Sequence, residues 1–420
     1  MSVCHRLSVQ VYALLSVSLL LLLATPAAAA ANCEAGVDQQ SHAIASIRCG
    51  RAPSATFDDA GRLWTAFVQN QHIYVSHSDD RGASFSAPVA VNKVAEDAEF
   101  NGENRPKIVV DTNGEIYVSW TLKTSPRFTG EIRFSRSLDG GLSFEEPRTI
   151  NDDQLFAGHR FESLFLTESG KLYISWIDKR DLEASLAESR DYAGAAVYYA
   201  VSEDGGETFS PNYRVANHSC ECCRIAIAPS GPDNIAILWR QIFGETTRDH
   251  AIAQLTPDGQ VLENHRASYD EWQINACPHH GPTMVKSAKS GDYHMSWFTN
   301  GDLHQGIYYA RFSFDSGSPE HVFRVDGNPG AGHPFLAEFR DTLYLVWKGF
   351  DGKQSMIQVI ESRDDGVSWS RPRVLHTTDA GSDHPLIVSG SDGLYLSWMS
   401  EQYGYVFDRF TDKQGSSTSD

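Results

Sequence analysis

Two short stretches of the chain concentrate side chains that bind metal ions. The first reads Cys-Glu-Cys-Cys from Cys220 to Cys223, and the second reads Cys-Pro-His-His-Gly-Pro from Cys277 to Pro282. Two thiolates with two imidazoles form a tetrahedral set that suits zinc, and a smaller set of soft donors suits Cu(I). The pattern predicts a zinc or copper site made by Cys220, Cys222, Cys223, Cys277, His279 and His280, with His333 and His384 as residues that complete or extend it.

The same cysteines have two other interpretations. Of the seven cysteines, Cys4 lies in an N-terminal segment that we expect to be removed, so six remain. An even number in an exported chain favours disulfides, with Cys33 and Cys49 closing a short loop and the cysteines of the two stretches forming two further bridges. A reactive or redox-active thiol is the third interpretation.

The strands that would position these stretches follow a repeat. An alternating apolar segment ending in an aromatic residue occurs seven times, at residues 63–67, 116–120, 172–176, 235–239, 293–297, 343–347 and 394–398. Consecutive copies end 50 to 63 residues apart, which suits four antiparallel strands and their turns. The alternation is that of strands packed between neighbouring sheets. The sequence therefore predicts an all-β propeller with seven blades, as a single domain over residues 32–410.

A second repeat marks the turns of four of these units. Residues 78–85, 137–144, 202–209 and 362–369 share a Ser, an Asp, a Gly, a Ser or Thr and a final aromatic residue at matching offsets. In each copy we expect the Asp to accept hydrogen bonds from the loop, the Gly to adopt a positive φ, and the aromatic ring to pack under the hairpin. Asp80, Asp139, Asp204 and Asp364 are therefore predicted to be structural residues.

These four copies resemble the Asp box, or BNR repeat, of the sialidase superfamily. The resemblance implies a sialidase-like propeller with the boxes on the outer hairpins, away from the active centre, and it implies six blades where the strand count gives seven. A retaining exo-sialidase of that family binds a carboxylate with three Arg and uses a Tyr nucleophile, a Glu and an Asp. Arg51 in Arg-Ala-Pro, Arg105 and Glu162 are similar to parts of that set, but residues 69–72 lack the expected Arg or Asp.

In a propeller, the loops that enter the inner strands meet at one end of the central channel. The residues at those positions are Arg51, Asn104, Arg105, Arg160, Glu162, Cys222, Cys223, Arg224, His279, His280, His333, Asp383 and His384. We therefore favour a ligand-binding or metal-binding propeller whose site lies at the channel mouth. The alternatives are an exo-α-sialidase or related glycoside hydrolase, and a non-catalytic module that binds a glycan, a small molecule or a protein.

Composition limits the partners and the location. The net charge of −19 repels phosphate backbones, so nucleic acid is not an expected partner. Residues 1–31 have a charged start, an apolar run and an Ala-rich end, which predicts a cleaved signal peptide and a secreted or periplasmic protein without a stable membrane anchor. We also expect the protein to be a monomer.

Three local features complete these expectations. Residues 182–195 are predicted to contain a short helix with Asp181 as its N-cap. Residues 41–47 are expected to supply the missing fourth strand of the last unit and so close the ring. Residues 411–420 form a polar tail that we expect to be disordered.

Overall fold

The structure is a computed structural model, and it describes residues 44–411. The predicted signal peptide, the pairing of Cys33 with Cys49 and the tail beyond Thr411 lie outside these residues. Within them the protein is all-β, with 27 strands, one short 3-10 helix and one α-helix. No helix of the described part is long and apolar enough to cross a membrane.

The strands form seven consecutive units. Unit 1 contains β1 (Arg51–Phe57), β2 (Leu63–Gln69), β3 (His72–Ser78) and β4 (Val89–Ala90); unit 2 contains β5 (Lys107–Val110), β6 (Ile116–Lys123), β7 (Gly130–Ser137) and β8 (Arg148–Thr149). Unit 3 contains β9 (His159–Leu166), β10 (Leu172–Asp178), β11 (Ala195–Ser202) and β12 (Tyr213–Ser219); unit 4 contains β13 (Ala226–Pro229), β14 (Ile235–Phe243), β15 (Thr247–Leu255) and β16 (Val261–Arg266). Unit 5 contains β17 (Thr283–Lys286), β18 (Tyr293–Asn300), β19 (Gln305–Ser313) and β20 (Ser318–Asp326); unit 6 contains β21 (Gly332–Phe339), β22 (Thr342–Phe350), β23 (Ser355–Ser362) and β24 (Arg373–Thr378); unit 7 contains β25 (Leu386–Gly390), β26 (Gly393–Ser400) and β27 (Gly404–Arg409).

Each unit is an antiparallel sheet in which every strand pairs with the next strand along the chain. A single bridge between Ser219 and Gln241 joins the sheets of units 3 and 4 into one of eight strands. The first strand of each unit also contacts the first strand of the following unit, and β25 of unit 7 contacts β1 of unit 1. These contacts are consistent with a β-propeller whose inner strands surround a central axis.

The hydrophobic core lies between adjacent sheets, because the second strand of each unit is buried on both faces. In β6, Ile116, Val118 and Trp120 pack against unit 1, whereas Tyr117 between them packs against unit 3. Successive side chains of a strand point to opposite faces, so this alternation fixes the register of each sheet between its neighbours. All seven predicted aromatic-ended segments lie within the second strands and are confirmed.

The Asp boxes have the predicted geometry. In the second box, Asp139 Oδ1 accepts hydrogen bonds from Ser143 N at 2.9 Å and from Ser137 Oγ at 2.8 Å. Gly141 has φ of 83°, and a Cβ at this position would lie 2.7 Å from the ring of Trp64 in unit 1. Phe144 is buried in the core between units 1 and 2. Each box thus fastens the end of one sheet against the preceding sheet.

Two local predictions were wrong in detail. The helix α1 spans Arg180–Ala187 with Lys179 as its N-cap, so it begins before Asp181 and ends well before residue 195. Its start is fixed by Asp178, which accepts a hydrogen bond from Arg180 N at 2.8 Å. Among the described residues 44–47, none supplies a fourth strand to unit 7; Ile47–Cys49 is a 3-10 helix that packs against β27.

Candidate functional site at the channel mouth

The loops before the inner strands meet around the side chain of Glu103, which lies in the loop before β5. Its Oε1 accepts hydrogen bonds from Arg224 Nη1 at 2.6 Å and from His333 Nδ1 at 3.0 Å, and its Oε2 accepts one from Gly281 N at 2.7 Å. These partners come from units 4, 5 and 6, and Glu103 itself is only 3% exposed. One carboxylate therefore ties four units together at the axis.

Three histidines stack into a column beside Glu103. His280 lies between Phe298 and His333, with ring centroids 4.2 and 4.3 Å away, and His333 stacks on His384 at 3.3 Å. Gly332, the first residue of β21, makes this approach possible, because a Cβ at this position would lie 2.7 Å from the ring of His280. The column joins the loop before β17, the start of β21 and the loop before β25 into one surface, which we call the histidine column.

Burial and charge set the protonation states in the histidine column. Burial lowers the pKa of His280 to about 3, and burial together with the charge of His333 lowers the pKa of His384 well below its ordinary value. Burial alone would raise the pKa of Glu103, but the charge of Arg224 and the hydrogen bond from His333 hold it well below its usual range. At neutral pH the ionised carboxylate of Glu103 therefore lies beside the neutral imidazoles of His280 and His384, the forms in which these side chains bind metals.

The cysteines of the first stretch form a separate thiol cluster. Cys220 Sγ lies 3.8 Å from the sulfurs of both Cys222 and Cys223, and all three side chains are buried. Cys277 is exposed and contacts Cys222 from the neighbouring loop. All four are free thiols in the structure, so the two bridges considered for them are not formed.

Two arginines lie beside the thiol cluster without a carboxylate partner in residues 44–411. Arg240 is 1% exposed and donates to the backbone oxygens of Arg248 at 2.9 Å and Phe298 at 2.7 Å. Arg248 is also buried and donates to the backbone oxygen of Ile274 at 3.2 Å. Hydrogen bonds from Cys222 and Cys223, and then the charges of both arginines, lower the pKa of Cys220 well below its ordinary value. Cys220 is therefore more easily ionised than Cys222 and Cys223, because burial and the neighbouring thiols raise the pKa of those two.

The single Cys/His site expected from the sequence is thus divided in two. His280 belongs to the histidine column with His333 and His384, whereas Cys220, Cys222, Cys223 and Cys277 form the thiol cluster. His279 joins neither, because its exposed ring lies against Phe161 at a centroid distance of 6.3 Å. Glu103 was missed, since nothing in its local sequence distinguishes it from the other acidic residues of a polar loop.

The three residues similar to a sialidase set do not share a pocket. Arg51 is exposed, with its guanidinium carbon 4.8 Å from the centre of the Phe100 ring. Arg105 is buried and pairs with Asp383 at 3.1 Å. Glu162 is fully buried between Lys107 Nζ at 3.3 Å and Thr121 Oγ1 at 2.6 Å, and burial raises its pKa.

Two cavities open near these residues. A cavity of about 260 Å³ runs down the axis below Glu103, and its walls are mostly apolar side chains of the inner strands, such as Ile225, Phe335 and Ile387. A wider cleft of about 490 Å³ lies between units 1, 2 and 7, where Arg51, Phe100 and Asp383 contribute to its walls. The two are separated by the ion pair of Arg105 and Asp383.

No family model matches the chain, and no curated protein matches it. Among solved structures, two of a polysaccharide lyase, ulvan lyase, are similar. One, bound to GlcA(1-4)Rha3S, is 12% identical with a TM-score of 0.54, covering 86% of this chain and 93% of that chain; the other is 11% identical with a TM-score of 0.54, covering 87% and 92%. NanB sialidase from Streptococcus pneumoniae is 11% identical over 81% of this chain and 72% of that chain, with a TM-score of 0.46.

These similarities concern the fold. At such low identity the ulvan lyase structures support the all-β propeller architecture and no more, and the likeness to the sialidase is too weak to carry an argument. Several of the similar structures are enzymes that act on glycans. The sialidase superfamily in particular is not shown for this chain.

Proposed function

We propose that this protein is an exported, seven-bladed propeller that binds a thiophilic metal ion, zinc or Cu(I), at the thiol cluster. The observation that carries the proposal is the spacing of the sulfurs. Two thiolates that bind one zinc ion tetrahedrally at about 2.3 Å lie about 3.8 Å apart, and Cys220 Sγ lies 3.8 Å from both of its neighbours. Disulfide-bonded sulfurs would lie at about 2.05 Å.

The charge around the thiol cluster supports an anionic site. A buried arginine without a counter-charge is costly, and neither Arg240 nor Arg248 pairs with a carboxylate of the described chain. Three or four thiolates around a monovalent or divalent cation carry a net negative charge, which these two guanidiniums would balance. The site would be closed to solvent on the side of units 3 and 4, because Cys220, Cys222 and Cys223 are each at most 2% exposed.

The proposal of seven blades rests on the inner strands. Seven of them succeed one another around the axis, and the last contacts the first. A six-bladed ring would leave one of these units outside it.

Elemental analysis and a thiol count on the purified protein test the metal proposal. We expect about one equivalent of zinc or copper, with thiols protected from a disulfide-exchange reagent until a chelator is added. Cys222→Ser should lose the metal, because Cys222 contacts both Cys220 and Cys277. His279→Ala is the matched control on the second stretch and should retain it. Protein that neither carries nor takes up zinc or Cu(I), with freely reactive thiols, would refute the proposal.

A second candidate function is binding of an acidic glycan in the wide cleft. The exposed guanidinium of Arg51 and the ring of Phe100 could hold a uronate, since a guanidinium pairs with a carboxylate and sugars stack on aromatic rings. Arg51→Ala should then weaken binding of a uronate-containing oligosaccharide in calorimetry. We expect no turnover of an aryl sialoside, because Arg105 and Glu162 are both held in buried ion pairs.

A further inference from the structure

We propose that the histidine column and Glu103 form a second cation site, separate from the thiol cluster, that takes a divalent late transition metal such as Zn²⁺ or Cu²⁺. Its donors are the carboxylate of Glu103 and the imidazoles of His333 and His384, with His280 as the fourth. This proposal does not rest on the proposed function, because no thiol belongs to the site.

The donor atoms are already close to metal-binding distances. Glu103 Oε1 lies 3.0 Å from His333 Nδ1 and 3.7 Å from His384 Nδ1, and the three atoms lie within 4.8 Å of one another. Tetrahedral ligands at about 2.0–2.1 Å from zinc are about 3.3 Å apart. Small shifts of the imidazoles would therefore bring all three donors onto one ion.

Two of the imidazoles have buried nitrogens with no hydrogen-bond partner. These are Nδ1 of His280 and Nδ1 of His384, both inaccessible to solvent. A buried polar atom without a partner is destabilising, so two of them at the channel mouth need an explanation. A metal ion between Glu103 and the histidine column would supply the missing partner.

Backbone conformation at the site is also unusual. His333 has φ of 54°, in the left-handed region that non-glycine residues seldom adopt. Gly102 faces His384 so closely that any side chain there would collide with the imidazole. Strain of this kind concentrates at functional sites, where the surrounding structure holds it in place.

Arg224 determines which cations the site accepts. Its guanidinium lies 2.6 Å from Glu103 Oε1 and neutralises the only carboxylate among the donors. Ca²⁺ and Mg²⁺ depend on several charged oxygens and would gain little here. A late transition metal bonds well to neutral imidazole nitrogen, so it is the class of ion that this donor set favours.

Metal titration of the full chain tests the proposal. Equilibrium dialysis with Zn²⁺ measures the number of ions bound, and titration with Co²⁺ reports the thiolates, since only thiolate ligands give an intense near-ultraviolet charge-transfer band. We expect His333→Ala and His384→Ala each to weaken Zn²⁺ binding at one site by more than about 100-fold. This loss is larger than the one caused by removal of a residue that only hydrogen-bonds to a metal ligand. The thiolate band should stay unchanged in both variants, and Mg²⁺ or Ca²⁺ should not compete.

His279→Ala is the matched control, because His279 neighbours His280 but lies outside the column. His384→Gln serves as a second variant if His384→Ala does not fold. Unchanged Zn²⁺ binding in the His333 and His384 variants, relative to His279→Ala, would overturn the proposal. Loss of the thiolate band in those variants would also overturn it, because the histidines would then share the thiol site. If the thiolate band is absent but one equivalent of Zn²⁺ still binds and depends on His333 and His384, the result would count against the thiol proposal alone.

Discussion

The Asp boxes and the channel mouth satisfy their polar groups in opposite ways. In the boxes, every partner of the Asp lies within four residues of it, as when Asp139 bonds Ser137 and Ser143. At the mouth, Glu103 bonds Arg224 and His333, which are 121 and 230 residues away. The boxes are complete as local turns, whereas the mouth exists only when the ring has formed, and it still contains buried nitrogens without partners. The first arrangement is typical of a structural element and the second of a binding site.

Removal of the Glu103 carboxylate should have the largest effect on stability. Glu103→Ala leaves the half-buried Arg224 charge and the Gly281 amide without their acceptor, and loss of one member of a buried pair costs about 3–5 kcal/mol. Urea unfolding would measure this loss. The double variant Glu103→Leu with Arg224→Met should lose less than Glu103→Ala, since it removes both charges. Equal losses in the two proteins would show that the ion pair is not what stabilises the mouth.

The adjacent glycines Gly140 and Gly141 of one Asp box offer a matched pair. Both have positive φ, but a Cβ on Gly140 meets nothing within 4 Å, while one on Gly141 would lie 2.7 Å from Trp64. Gly140→Ala should cost about 1 kcal/mol from the left-handed conformation alone. Gly141→Ala should cost about 1–3 kcal/mol more from overpacking against unit 1. Thermal unfolding of both variants would measure the difference, and equal losses would mean that the box does not fasten one sheet to the next.

The two regions should lose stability in different pH ranges. The folded pKa of His280 is lowered to about 3, so the unfolded chain binds a proton first and stability falls as the pH drops below about 6.5, by at most about 1.4 kcal/mol per pH unit. Hydrogen bonds from Ser143 and Ser137 lower the pKa of Asp139 to about 2, so its contribution is present above pH 4 and is lost between about pH 4 and 2.

Unfolding curves of chelator-treated protein across this range would separate the two. His280→Phe should reduce the slope between pH 6.5 and 4, to which His384 also contributes, while it keeps the stacking on Phe298. Asp139→Asn should reduce only the slope below pH 4, to which the Asp residues of the other three boxes also contribute. If the free energy of unfolding changes with pH between 6.5 and 4 as steeply in His280→Phe as in the unmutated protein, His280 is not buried in its neutral form.

Much of the architecture was predictable because its determinants are local. The period-2 alternation located the second strand of every unit, and the four boxes located their turns, since both patterns depend on residues that are neighbours in sequence. The helix boundary was missed because the start is fixed by Asp178, the last residue of β10, and not by Asp181. The fourth strand expected for the last unit was wrong because residues 47–49 pack against β27 as a 3-10 helix, which no strand pattern indicates.

The sequence by itself determined the all-β repeat, the Asp boxes, and the loops whose residues lie at the channel mouth. Only the tertiary structure decided how those residues are grouped. It separated His280 from Cys277, three residues earlier, and placed it with His333 and His384. It also made Glu103 a common partner of His333 and His384. The physical reason is that strand and turn patterns depend on neighbours in sequence. Contacts across the axis depend on how seven sheets twist and close, which no short stretch encodes.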